Sequence, residues 1–555
     1  MKERMTRRLY MAVVAGALLF QWSCALVLET LKTGGERQLE PVAPTTAGRG
    51  PRVIIFAFDG AGPDQLMQAI HSGNAPHIAA LLGKDKGNGL FEHGYAAPHA
   101  LSVLPSSTIA DWAAIFTGRP PAQNGLAGDE WFVRETATFY APVPISVRDT
   151  VDFTKVVNDD LIGKSLKSPT LYELLGRTTY VSLLSVHHGA TLYTTVAPSS
   201  LTDFLVNLIK GTLEGANPEK SLSVALDLSS VQKLTEAINE RGVPDLQVVY
   251  FPGIDIFTHG SKDPLESQVR YLEQVADKGV GEVLESYQKK GELAGAYIVF
   301  ISDHAHIPTL ADEKHKLGTD DEDSPFGLVA KSGFRVRRPL VTLGDFDKDY
   351  QAVLAYQGFM AYVYLADRSS CPNEHDVCDW KKPPRFKEDV MPVVRAFYNA
   401  NRTGDPVRKL KGTIDLIFAR EPVPEGRNAR PYEVFDGQRL VPIRDYLREH
   451  PRPDLIHLEE RLNGLSAGPY GNRAGDILLL ARACNDLPIQ DRYYFAGLTH
   501  YSWHGSACEG DSHIPFIVAQ EGGSGERLRA LMKKFGGDSP SEMALTPLVR
   551  ALFGN

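Results

Sequence analysis

The 555-residue sequence predicts an α/β fold, a mostly parallel sheet sandwiched by helices, on three observations. Continuous apolar runs of strand length recur along the chain, several of them end in an aspartate, and helix-like stretches separate them. Runs with no polar alternation fit strands covered on both faces, as parallel strands are.

In chain order, Lys2, Arg4, Arg7 and Arg8 precede residues 9–28, which carry no charge, so residues 1–28 form a signal or anchor segment. Basic residues before the apolar run place the rest of the chain outside the cytoplasm, and the expected location is extracytoplasmic, membrane-anchored or secreted. Cys24, with Ser23 before it, offers a lipid attachment point, so membrane contact is expected through this segment or through lipid on Cys24. Residues 29–50, rich in Gly, Pro and Thr, make a linker.

The core is expected to comprise residues 51–307 and 431–555. Its strands are 53–58, ending at Asp59-Gly60; 247–251, leading to Asp255; and 296–302, ending at Asp303-His304. Residues 170–175, 229–241 and 267–290 read as helices and 180–186 as a further strand. Ligands of parallel sheets bind beyond the carboxyl ends of the strands, where Asp59, Asp255 and Asp303 would emerge together. Ser106, Ser107 and Thr108 are N-cap types ahead of an apolar helix from Ile109 to Phe116, and Gly118 stops it. A hydroxyl there faces free N–H groups and the positive end of the helix dipole, a place suited to a phosphoryl group. Residues 308–430 change character, with an acidic run Asp320–Asp323, a Cys371–Cys378 loop, an apolar run 358–365 and a helix-like 387–400, and read as an inserted α+β capping subdomain. After Arg430 the strand grammar returns at 475–481 and 514–519, with Trp503-His504-Gly505-Ser506 between.

A formal charge of −9 and a pI near 6.0 give no bulk attraction for nucleic acid, and none is expected as a partner. Of five cysteines, Cys371 with Cys378 and Cys484 with Cys508 can pair, which leaves Cys24 and suits an oxidising compartment.

Asp255 and His259, four positions apart beyond a strand, can aim at one cation; Asp303-His304 ends another strand, and His504 precedes a glycine. Each is weak alone, and His306 reads as a structural loop histidine. Taken together, Phe58-Asp59-Gly60, Thr108 nine residues before Thr117-Gly118, Asp255-x-x-x-His259, Ser302-Asp303-His304 and His504-Gly505-Ser506 resemble the alkaline phosphatase superfamily, and within it the type I phosphodiesterase and nucleotide pyrophosphatase branch. The resemblance spans residues 51–305 and 470–520 and implies an alkaline phosphatase-like fold.

It further implies two divalent metal ions, Zn²⁺ in the typical member, one held by Asp255, His259 and His504 and the other by Asp59, Asp303, His304 and Thr108. Thr108 would then be the nucleophile. A threonine hydroxyl is weak at neutral pH and has no adjacent histidine here, so metal coordination is its means of activation and a phosphothreonine its product. The expected substrate is a small phosphate ester.

Members of the branch carry an asparagine 21 positions after the nucleophile, donating to a phosphoryl oxygen. Here the position is Asp129, the candidate substrate contact, either protonated or turned to a metal or a substrate hydroxyl. Asn124 stands where histidine is usual, and no Lys-x-Arg pair accompanies His187 and His188. Thr108-Ile-Ala-Asp-Trp lacks the proline and arginine of a sulfatase frame. A phosphonate or phosphomonoester hydrolase, a phospho-group transferase on the same scaffold, and an inactive membrane-tethered binding protein are the alternatives.

Overall fold

The computed structural model describes residues 36–38, 50–146, 151–196, 222–318, 321–338, 348–424 and 427–554. The segment 1–28 with Cys24, nearly all of the linker, and Asp320 lie outside them. No helix among the described residues is long and apolar enough to cross a membrane.

Five strands, β1 (Val53–Phe58), β2 (Thr179–Ser182), β3 (Leu192–Thr194), β4 (Leu246–Phe251) and β5 (Tyr297–Ser302), run parallel in the order β3-β2-β4-β1-β5. Antiparallel strands extend both edges, Glu36–Gln38 beside β3 and Phe516–Gln520 beside β5. β1, β4 and β5 are buried at every position. Val53, Ile55 and Ala57 enter one apolar layer while Ile54, Phe56 and Phe58 enter another, so the unbroken apolar run reflects a sheet covered on both sides. Each of the valine, isoleucine and phenylalanine side chains contributes about 1.5–3 kcal/mol by leaving water. Trp112 and Phe116 of α1 (Thr108–Thr117) pack in the first layer, and the helices Pro63–His71, Leu222–Arg241 and Asp277–Lys289 supply the second.

Register decides where the site forms. Phe58 stands opposite both Phe251 and Ser302, so β1, β4 and β5 end level. The segments that leave these strands therefore emerge at one edge: Asp59, the helix α2 (Gly253–Gly260) bearing Asp255 and His259, and Asp303-His304.

A second, antiparallel sheet has the order β6 (Ala352–Tyr356), β7 (Met360–Leu365), Ile477–Ala481, Ile414–Ala419, Glu433–Phe435 and Leu440–Pro442. The chain beyond Arg430, expected to rejoin the parallel core at once, first completes this sheet. Ile477–Ala481 is central and buried throughout, so its apolar run looks the same as that of a core strand. Residues 516–520 then return to the core sheet. Both anticipated disulfides form, Cys371–Cys378 and Cys484–Cys508. Asp321, Glu322 and Asp323 of the acidic run are exposed.

Candidate metal centre

Three side-chain groups with metal-ligand spacing gather at the level strand ends: Asp59, Asp303 and His304; Asp255, His304 and His504; and Asp255, His259 and His306. The ligand atoms within each group lie within 4.8 Å of one another. All six residues expected from the sequence are present. The grouping is more closely shared than expected, because His304 faces both halves and His306, read as structural, stands 3.0 Å from Asp255 through its Nε2.

The imidazoles are held by their other nitrogen. His259 Nδ1 is 2.6 Å from the Ser502 carbonyl, His504 Nδ1 3.0 Å from the Ser106 carbonyl, and His304 Nδ1 3.2 Å from the Ala305 carbonyl. A carbonyl only accepts, so each Nδ1 is the donor and each Nε2 is the nitrogen left to face the centre. The His304 and His504 rings stack at 3.6 Å.

The carboxylates are positioned as firmly. Asp303 Oδ1 accepts from the backbone N–H of Gly60 and of His304, both at 2.9 Å. Asp59 Oδ2 accepts from the Tyr250 hydroxyl. Their remaining oxygens, Asp59 Oδ1 and Asp303 Oδ2, are buried with no hydrogen-bond partner. Burial, and then the charges of Asp303 and Asp255, push the Asp59 carboxyl well up, and burial also raises Asp303. Asp255 is held well below the usual range because His259 and His306 outweigh the effect of its burial. Burial lowers the His259 imidazole, but the Asp255 carboxylate more than offsets this and holds it up. His306 is pushed down to about 4 by burial. Carboxylate oxygens without donors beside imidazole Nε2 atoms aimed at the same centre form a donor set that fits divalent cations and would be relieved by them.

Thr108 opens α1 with its Oγ1 3.4 Å from His304 Nε2, the imidazole shared by two of the three groups. Ser107 is the N-cap but makes no side-chain cap, and Gly118 ends the helix in the left-handed conformation as anticipated. The loop before Thr108 is fixed from below by the buried Arg461, whose guanidinium donates to the Ser102 and Val103 carbonyls and to Ser106 Oγ. Asp129 Oδ1 accepts from Ile109 N–H at 2.9 Å, and its Oδ2 is buried without a partner. Burial is the main cause that pushes this carboxyl up to about 8.

Asn124 has a local task, donating to the Arg119 carbonyl and accepting from Leu126 N–H. His188 pairs with Asp160 and His187 stacks on Tyr193, so neither joins the cluster. His306, read as a structural loop histidine, joins the cluster, and two supporting side chains were given no role by the sequence: Tyr250, and Ser302, which donates to the Phe58 carbonyl and accepts from Ala61 N–H. Only Ser302 had a signal, its place beside Asp303; Tyr250 is one more residue of an apolar strand.

A model of the family "Type I phosphodiesterase / nucleotide pyrophosphatase" matches residues 53–375. The chain belongs to that family. Among solved structures, human ectonucleotide pyrophosphatase / phosphodiesterase 5 is similar at a TM-score of 0.50 and 13% identity, over 91% of this chain and 95% of that one. Its murine counterpart gives 0.49 and 11% over the same shares. Phosphonoacetate hydrolase from Sinorhizobium meliloti, with phosphonoformate, gives 0.43 and 18% over 93% of this chain and all of that one. At these identities the human protein speaks for the fold, a type I phosphodiesterase scaffold with a large, mostly parallel central sheet. The family match reaches β7 and does not include His504, which the fold brings to the cluster from the far end of the chain.

Proposed function

We propose that this protein is an extracytoplasmic, two-metal phosphoric ester hydrolase that acts through a phosphothreonine on Thr108. The observation that carries the reading is the hydroxyl of Thr108 placed 3.4 Å from His304 Nε2, beside a carboxylate–imidazole cluster. Asp59, Asp303, His304 and Thr108 would hold one divalent ion, and Asp255, His259 and His504 the other, with His306 against Asp255. Two such ions, Zn²⁺ by the mixed oxygen and imidazole set, would supply Lewis acidity that eases deprotonation of the Thr108 hydroxyl and neutralises phosphoryl charge.

The chain's own residues do the rest. Thr108 Oγ1 attacks phosphorus, the ester oxygen leaves, and water then cleaves the phosphothreonine to regenerate the hydroxyl. The positive end of the α1 dipole favours the phosphoryl oxygens, with Ile109 N–H committed to Asp129 and Asp111 N–H to the Ser107 carbonyl. Asp129, neutral below about pH 8, donates its Oδ2 proton to one of them, in the role that the family's asparagine amide fills. A small phosphate ester is the substrate, and the N-terminal segment or lipid on Cys24 is the membrane tether.

The test is metal analysis of the purified full chain together with turnover of an aryl phosphodiester, a monoester and a phosphonate. About two transition-metal ions per chain are expected, with Thr108→Ala losing turnover on the order of 10³-fold or more while keeping its metal. A fully active Thr108→Ala, or a metal-replete protein inert on all three substrates, refutes the reading.

A further inference from the structure

The turn between β6 and β7, Gln357-Gly358-Phe359, reaches out of the smaller sheet to the Asp129 segment and the His504 loop, and we propose that Gln357 is a positioning residue that aims the Asp129 carboxyl at the substrate. This rests on the hydrolase reading above.

Gln357 is fully buried. Its side-chain oxygen accepts from the backbone N–H of Asp129 at 2.7 Å, and its side-chain nitrogen donates to the carbonyl of Glu130. One amide thus satisfies a backbone donor and a backbone acceptor and fixes the chain from Asp129 to Glu130. Glu130 is secured by the same hairpin, its Oε2 accepting from Tyr356 N–H at 3.0 Å, and Tyr362 of β7 donates to the Ala127 carbonyl at 2.7 Å. The Asp129 segment therefore takes its bearing from the smaller sheet. That bearing lets Oδ1 meet Ile109 N–H, one residue past Thr108, and leaves Oδ2 without a partner.

The other side of the turn grips the histidine loop. Phe359 N–H donates to the His504 carbonyl at 3.0 Å, and Phe495 N–H to the Gly358 carbonyl at 2.7 Å. A Cβ on Gly505 would stand 1.7 Å from the Gln357 carbonyl oxygen, and one on Gly128 2.1 Å from Gln357 Oε1, so both approaches need glycine. The unit expected from the sequence as a cap thus contributes a fixed wall of the site through one turn. A buried glutamine with two backbone bonds would stabilise any fold; what marks a positioning role is action through Asp129.

The experiment is a double-mutant cycle in the full chain, with kcat and KM for bis(p-nitrophenyl) phosphate, metal content and melting temperature read for each variant. Gln357→Ala is expected to keep its metal and to lose about 30-fold in kcat/KM, the scale of a small misplacement of a contact group. In an Asp129→Ala background the same change should cost no more than about 3-fold, because there is no carboxyl left to aim. Equal fold-losses in the two backgrounds, or no loss in either, overturn the inference. Should Gln357→Ala fold poorly, Gln357→Glu preserves shape and the bond from Asp129 N–H but not the donation to Glu130, and the same comparison of backgrounds decides. Thr108→Ala, assayed alongside, separates the two levels. An inactive Thr108→Ala with additive Gln357 and Asp129 effects defeats this inference alone, and an active one defeats the hydrolase reading with it.

Discussion

A carboxylic acid in the place of the family's amide would be a defect if it were ionised, since it would face a phosphoryl group with like charge. The surroundings of Asp129 avoid that. Burial, before any charge effect, favours the neutral acid, and Oδ1 is committed to Ile109 N–H, so the proton belongs on Oδ2. With a folded-state value of about 8, the donor is present at pH 7 and is lost as pH rises through 8. Wild-type kcat/KM on a diester should therefore fall along that limb. Asp129→Asn should match it within a few-fold at pH 7, lack the fall, and be several-fold faster at pH 9; superimposable profiles would show that Asp129 does not titrate in the reaction. Tyr250 offers a second test. Its hydroxyl fixes Asp59 Oδ2, and Trp112 of α1 packs edge-on against its ring at 5.6 Å. Tyr250→Phe keeps that packing and removes the bond, so metal affinity at the Asp59 side should weaken about 10- to 100-fold by equilibrium dialysis, the usual consequence of losing a ligand's own support.

Strands were legible where local sequence carries their cause. β1, β4 and β5 are buried throughout and, apart from Gln247 and Ser302, apolar, and an aspartate follows each, directly after β1 and β5 and four residues after β4. Asp59, Asp255, His259, Asp303 and His304 could be found on that ground, and Thr108 by its place at a helix start. The partner of a strand is not a local property, so Ile477–Ala481 looked like core and pairs instead with β7 and Ile414–Ala419. Contacts made by a turn were equally hidden, Gln357 and His306 among them, since nothing nearby in sequence says that Gln357 meets Asp129 across 228 positions. Gly505 shows how tightly that turn is held. It sits at φ +102° against the Gln357 carbonyl, so Gly505→Ala combines backbone strain of about 1–3 kcal/mol with a collision that must displace β6–β7 or the His504 loop. A lower denaturant midpoint together with reduced metal content is expected, and wild-type values for both would show that the approach is soft.

Across the whole molecule the centre ties together distant parts of the chain, β1, α1, α2, the end of β5 and the His504 loop, so its occupancy should be felt in global stability. A ligand present at a thousandfold over its Kd and bound only by the folded state adds about 4 kcal/mol, and stripping the ions with a chelator should lower the melting temperature by several degrees. The loss should depend on pH in a defined direction. Without ions, Asp59 and Asp303 have folded-state values raised above the unfolded value of about 3.9, so the folded chain holds protons that the unfolded chain releases. Their contribution to stability then declines as pH rises from about 4 through those raised values, while His306, pushed down to about 4 by burial, contributes in the opposite direction up to about pH 6.5. Asp255 runs the other way, but its contribution is lost only as pH falls below about 3.9, outside that window. Bound cations take the place of the missing protons, and ligands that must be deprotonated bind them better as pH rises. The gap in melting temperature between metal-loaded and chelator-treated protein should therefore widen from pH 5 to pH 8. A gap that stays constant over that range would mean that these carboxyls do not carry the coupling between metal and fold.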